Sequence, residues 1–188
     1  MKRMLLTLFL IIIGTNASFC SEPDYRQIYL DLQVPTFSYI HGIDPGQYYD
    51  NKNATYSTYP LFRLSTPLYF KTITIQQGYY ALTPVTYKGN SYLLFKDCGV
   101  VKYTVPVYKK EFVPEGFYEA HLPKPKLTFT QQVRENFYGF LGRHVPSAQR
   151  KPAAQTYLEV NDLDNQLVSI IVYYGAYRYY TIFRTVQM

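Results

Sequence analysis

The residues in this chain best suited to chemistry are cations set beside aromatic rings. Lys102-Tyr103, Tyr108-Lys109-Lys110 and Tyr177-Arg178-Tyr179-Tyr180, with Arg184 beyond them, interleave the two types. Tyrosine rings stack on flat or C–H-rich ligand faces, and Lys or Arg pairs with phosphate or carboxylate groups. Tyr103, Tyr108, Lys109, Lys110, Tyr177, Arg178, Tyr179 and Arg184 are therefore the candidate binding residues. Their ligand would be a glycan or an anionic cell-wall polymer, since an exported chain has little occasion to meet nucleic acid. The plainer expectation is that these tyrosines are outer faces of strands and the lysines guard a sheet edge.

Catalytic patterns are missing. There is no GxSxG, no P-loop and no dinucleotide fingerprint. Glu111, Glu115, Glu119 and Glu159 could serve a glycosidase, but nothing in their spacing marks two of them as a pair. His41, His121 and His144 share no metal-ligand spacing. Asn161-Asp162-Leu163-Asp164-Asn165 resembles part of a calcium loop, yet Gln166 and Val172 stand where such a loop needs Gly and Glu. A polar hairpin turn is the expected outcome there, and no cofactor or metal is expected. Cys98, in Lys96-Asp97-Cys98-Gly99, is expected to be a turn or core cysteine rather than a nucleophile. It could also bridge to Cys20 in an oxidising compartment.

Export is the expectation behind that last option. Lys2 and Arg3 precede an apolar run at residues 4–13, broken only by Thr7. Ten residues is the length of a signal h-region and too short to span a ~30 Å hydrocarbon core. Small residues at Thr15, Ala17 and Ser18 place cleavage between residues 17 and 21. Residues 1–20 are thus a signal peptide, and residues 21–188 one mature domain with no transmembrane segment. Asn53-Ala54-Thr55 fits a glycosylation acceptor, which matters only in a eukaryotic source. The net charge of +6 falls to a mild +4 without Lys2 and Arg3.

The elements that would hold the candidates are mostly strands. The chain has 22 Tyr and no Trp, and tyrosine suits half-exposed strand faces. Strands are expected at 27–32, 37–40, 68–75, 79–87, 91–96 and 100–108, with a further short run at 109–113. Residues 41–46 carry turn chemistry, and 47–59 a surface loop that could end in a strand. Lys88-Gly89-Asn90 and Asp97-Cys98-Gly99 are hairpin turns. Pro84 marks an edge or a bulge. These four central strands form a meander that closes into a small barrel or makes one sandwich layer. A Pro-rich connector at 114–127 is a possible internal boundary.

One helix is expected at 128–141. Thr128 and Gln131 form a capping box, and Val133, Phe137, Phe140 and Leu141 make one apolar stripe that packs on the strands. Gly142 ends it and Gly139 keeps it short or bent. A basic loop follows, with Arg143, His144, Arg150 and Lys151. Strands at 156–160, 166–174 and 177–186 then form a C-terminal three-strand meander, the middle one apolar on both faces.

The fold class is α+β, predominantly antiparallel β. The expected function is a non-catalytic binding or structural role in the envelope or outside the cell, contacting cell-wall polymer or an envelope protein. A secreted hydrolase without a recognisable motif is the alternative, and a deep pocket holding two or more acids, or an acid and a His, would favour it. A third reading is an assembly subunit, whose strand 177–186, or segment 24–32 at the other end, adds to a partner's sheet.

Overall fold

The computed structural model describes residues 23–37, 59–123, 127–145 and 154–187. The expected signal peptide with its expected cleavage region, Cys20, His41, the expected 41–46 turn, Asn53, Arg150 and Lys151 lie outside them. So do most of the expected strand at 37–40 and of the loop at 47–59.

The first described element corrects the sequence reading. Residues expected as a strand form helix α1, Tyr25–Asp31. The Asp24 carboxylate caps it, accepting from the backbone N–H of Arg26 at 3.0 Å and of Gln27 at 3.1 Å. Gln27 Nε2 donates to Asp31 Oδ1 at 2.8 Å, one turn on. Tyr25, Tyr29 and Leu32 turn inward together at helical spacing. The apparent alternation in Ile28-Tyr29-Leu30-Asp31-Leu32 lost to that cap and that spacing.

Strand β1, Leu61–Leu64, comes next, a short element with no counterpart in the sequence reading. The expected strand at 68–75 is instead two, β2 (Leu68–Phe70) and β3 (Ile73–Ile75), paired as a hairpin. Lys71 sits in the turn at φ 53°, and its backbone N–H donates to Tyr29 Oη at 2.8 Å. That contact spans 42 residues, so nothing local announces the turn. Strands β4 (Gly78–Tyr87), β5 (Asn90–Asp97) and β6 (Val100–Pro106) follow as expected. Their turns place Lys88 and Gly89 at φ 49° and 82°, and Cys98 and Gly99 at 48° and 81°. Two successive left-handed residues match the twist of a two-residue hairpin. Pro84 pairs with Leu93 of β5, while β1 reaches only residues 78–81 of β4. Its missing N–H therefore falls on an open stretch of edge.

The remaining strands are β7 (Lys109–Phe112), β8 (Thr156–Leu163), β9 (Leu167–Tyr174) and β10 (Tyr177–Arg184). β8, β9 and β10 form the C-terminal meander, with β9 central and almost wholly buried. β8 runs through Asn161 to Leu163, so the expected turn at 161–165 moves to 164–166 and the calcium-loop-like run does not form a loop.

Two antiparallel sheets result. One has the order β1-β4-β5-β6; the other runs β3-β2-β10-β9-β8, with β7 also on β10. The expected first meander strand thus belongs to the opposite sheet, and the four-stranded layer stays open rather than closing on itself. The two sheets share one hydrophobic cluster. Phe183 of β10 sits edge-on to Phe95 of β5 at 5.9 Å and to Phe70 of β2 at 6.5 Å. Between β6 and β7 the chain passes from one layer to the other within two residues: Val107 N–H donates to Ser91 O in one sheet, and Tyr108 N–H to Tyr180 O in the other, each at 3.0 Å.

Two helices follow β7. Helix α2, Phe117–His121, lays Phe117 flat on Tyr173 at 4.3 Å. Helix α3, Phe129–His144, carries the expected capping box, Thr128 N–H donating to Gln131 Oε1 at 2.9 Å. Two expectations fail here. The helix runs through Gly142 to His144, and most of its stripe is not packed away: Val133, Phe137 and Phe140 are exposed, with Phe129 one turn before them, and of the expected four only Leu141 is half-buried. The predicted packing on strands rested on periodicity, which shows that an apolar face exists but not what covers it. No described helix is long and apolar enough to cross a membrane.

Candidate functional site

β7 and β10 bring most of the expected binding residues together, then divide them by face. Their register pairs Tyr177 with Phe112, Arg178 with Glu111, Tyr179 with Lys110 and Tyr180 with Lys109. Alternation puts Arg178, Glu111, Tyr180 and Lys109 on one face. There Glu111 collects three partners: Lys109 Nζ at 2.7 Å, an Arg178 terminal nitrogen at 2.8 Å and the Tyr180 hydroxyl, which donates at 2.8 Å. The hydrogen bonds from Lys109 and Tyr180 hold its carboxyl below the usual range. Burial, and the bond to Glu111, push the Tyr180 hydroxyl up. Tyr173, opposite Arg178 on β9, donates to Glu159 Oε2 at 2.9 Å. Glu111 and Glu159 thus lie in one polar–aromatic network, a link their spacing did not reveal.

In this network the Glu111 carboxylate is held charged by Lys109, Arg178 and the Tyr180 hydroxyl. A glycosidase acid needs a raised pKa, and Glu111 is displaced the other way. Glu111→Gln should therefore lower thermal stability at neutral pH. A depressed folded pKa contributes stability above the unfolded value of about 4.3 and loses it as pH falls through the folded value. The deficit of the variant should accordingly shrink between about pH 5 and about pH 2. An equal deficit at both ends would show that the carboxylate charge is not what matters.

The other face holds Lys110, whose ammonium lies 4.2 Å from the Tyr177 ring centre and 5.5 Å from that of Tyr179. Tyr108 is half-buried at the layer crossing, its hydroxyl pushed up by burial. Tyr103 lies on the four-stranded sheet against Tyr80, ring centres 6.0 Å apart. Among the expected residues Lys109 and Arg178 are thus already ion-paired, and Tyr103 stands on the other layer.

Arg184 belongs to a different feature, a cleft of about 350 Å³ between α1, the β2–β3 turn and the end of β10. Arg26, Lys71 and Arg184 line it with Tyr29 and Tyr69, and no described lining residue is acidic. The Lys71 ammonium and the Arg184 guanidinium both sit over the Tyr29 ring, 5.1 and 5.2 Å from its centre. Lys71 Nζ also donates to Leu30 O at 2.9 Å. Arg184 Nε is buried with no hydrogen-bond partner among the described residues, which is costly unless something comes to it.

The chain matches no protein-family model, no curated protein and no solved structure. Function must therefore be argued from this geometry.

Arg26, Lys71, Tyr29 and Tyr69 were missed in the sequence: Arg26 stands just before an expected strand that is instead a helix, and Lys71 sits in a turn that splits the single strand expected at 68–75. A second cleft, of about 340 Å³, lies on the other side of Arg26 and is lined by Asp24, Asp162 and Asp164. Among the described residues no group of three or more His, Cys, Asp or Glu could hold a metal ion. His121 stacks on Phe117 at 4.0 Å, and His144 lies against Phe140 at 4.6 Å.

Cys98 is exposed and free at the tip of its hairpin. A hydrogen bond to Asp97, and that residue's charge, push the thiol up, the wrong direction for a nucleophile. Alkylation at Cys98, followed by peptide mass at about pH 7, should be slower than for an unperturbed thiol. Asp97→Asn should accelerate it, and an unchanged rate would remove Asp97 as the cause.

Proposed function

We propose that this protein is an exported, non-catalytic binding module for an anionic glycan or cell-wall polymer, with the Arg26–Lys71–Arg184 cleft as its contact point. One observation carries the reading: three cations and two tyrosines line a cleft to which no described acid contributes. Lys71 and Arg184 meet over one ring with no acid in the described lining, an arrangement of like charges that is unfavourable in an empty protein, and a bound anion offsets that cost. Arg184 suits carboxylate or phosphate, since its planar fork offers donors in pairs. Tyr69, half-buried in the lining, supplies ring surface against which a sugar packs, while the buried Tyr29 ring holds Lys71 and Arg184 in place. The acidic cleft beyond Arg26 would repel a polyanion, so the ligand is confined to one side of α1. Export rests on the signal-like leader.

Retention on insoluble anionic wall polymer at low and moderate salt tests this. Binding should weaken as salt rises, as expected for contacts made mainly by charge. Retention that ignores salt, or no retention on anionic polymer while neutral polymer is held, would sink the reading.

A further inference from the structure

Helix α3 presents an apolar stripe to solvent. Phe129 is 80 % exposed, Val133 52 %, Phe137 58 % and Phe140 57 %. Water-facing rings in that number on one helix face are not explained by folding, because no core gains from them. The charges around the stripe are equally uneven. Residues 124–151 carry six of the chain's 19 Lys and Arg but only one of its 13 Asp and Glu, Glu135. At about 100° per residue, Arg134 and Arg143 fall on either side of the stripe, while Glu135 falls on the opposite face. Lys124 and Lys126 precede the helix in sequence, and Arg150 and Lys151 follow it.

We propose that α3 is an interfacial anchor that lays its Phe stripe into the surface of a bilayer bearing anionic headgroups. An apolar face bordered by long cations is what such a surface selects. The rings enter the headgroup–acyl boundary while arginine side chains reach back to the phosphates. Arg134 stands on one edge of the stripe and Arg143 on the other, and a plane of anionic headgroups under the rings meets both at once. The 16 residues of the helix lie along the surface and do not cross it. This anchor is independent of the cation cleft, since it uses none of the same residues.

The chain has no Trp, so one introduced indole reports on α3 alone. Phe137→Trp and Glu135→Trp, made separately in the full chain, would be mixed with phosphatidylglycerol vesicles, with phosphatidylcholine vesicles and with a soluble polyanion. The expected result is a blue-shifted emission for Phe137→Trp with the anionic vesicles, quenched by brominated acyl chains, and none for Glu135→Trp. Adding Phe129→Ser and Phe140→Ser to the Phe137→Trp chain should weaken partitioning about tenfold per ring. Arg134→Gln and Arg143→Gln should each weaken it about fivefold, on anionic vesicles only. The leader is common to all these chains and so cannot produce the differences. Equal shifts at both positions, equal binding to neutral vesicles, or a shift that grows with protein concentration alone would overturn the proposal. The last result would make the stripe a contact between copies of this chain. A shift with the soluble polyanion and no vesicles would equally overturn it.

Discussion

Phe183→Ala should cost about 3–5 kcal/mol, the range for deleting a fully buried aromatic ring. The ring is completely buried and touches both layers at once, Phe95 in the four-stranded sheet and Phe70 in the six-stranded one. Truncating it opens a void where the sheets meet, and neighbours anchored in two separate hydrogen-bonded layers have little freedom to collapse into it. For a chain of this size the loss corresponds to a fall in Tm of roughly 10 °C. Val100→Ala, at an exposed position of β6, should change stability by about 0.5 kcal/mol or less. Urea unfolding followed by both far-UV and near-UV signals would measure the effect. Because one cluster draws on both sheets, the two signals should move together to lower urea. If instead the variant shows two separated transitions, the layers are stable independently and the shared core is not what joins them.

Arg184→Gln combined with Lys71→Gln should abolish salt-sensitive retention on anionic polymer while leaving stability nearly unchanged. A hydrogen bond to a charged partner is worth about 1.5–3 kcal/mol, so each lost contact weakens binding roughly tenfold or more. The stability side has small opposing terms. Both cations lie over Tyr29, and such contacts contribute about 0.5–1 kcal/mol each at partly exposed sites. Lys71 also holds Leu30 O. Against this, removing two like charges from one cleft relieves repulsion. A net change within about 1 kcal/mol is expected, and activity lost without stability lost is the mark of a binding site. Arg26→Gln should behave alike but more weakly, since Arg26 also faces the acidic cleft. Changing Lys109 should matter less still, because Glu111 already neutralises it. The opposite pattern, a large stability loss with undiminished retention by the folded fraction, would mean that Arg184 and Lys71 pin α1 to the sheet and bind nothing.

The C-terminal strand bears on the assembly reading. β10 is paired along its length with β9, and its other edge meets β7 at residues 177–180 and β2 at Arg184. A strand so occupied has little backbone left to offer a partner's sheet. At the other end, residues 25–31 form a helix whose hydrogen bonds are satisfied internally. Neither end therefore supports strand addition.

Local chemistry made part of this protein legible in its sequence. The Lys88–Gly89 and Cys98–Gly99 turns, the Thr128–Gln131 capping box and the doubly apolar β9 all depend on residues a few positions apart. Their signals survive folding because the groups that cause them are covalent neighbours. Features settled by contacts across tens of residues could not be read. The β2–β3 turn needs Tyr29 to hold Lys71, and the layer to which β2 belongs is decided by Arg184 pairing with Tyr69. The split of the Tyr/Lys/Arg set between two faces comes from the β7–β10 register, in which one residue of shift reverses every side chain. The cation cleft is the extreme case: positions 26, 71 and 184 converge only once α1, a hairpin turn and the last strand have packed. Sequence determines which side chains are available and how the chain turns locally; tertiary packing decides which of them meet, because charges and apolar faces find their partners through space and not along the chain.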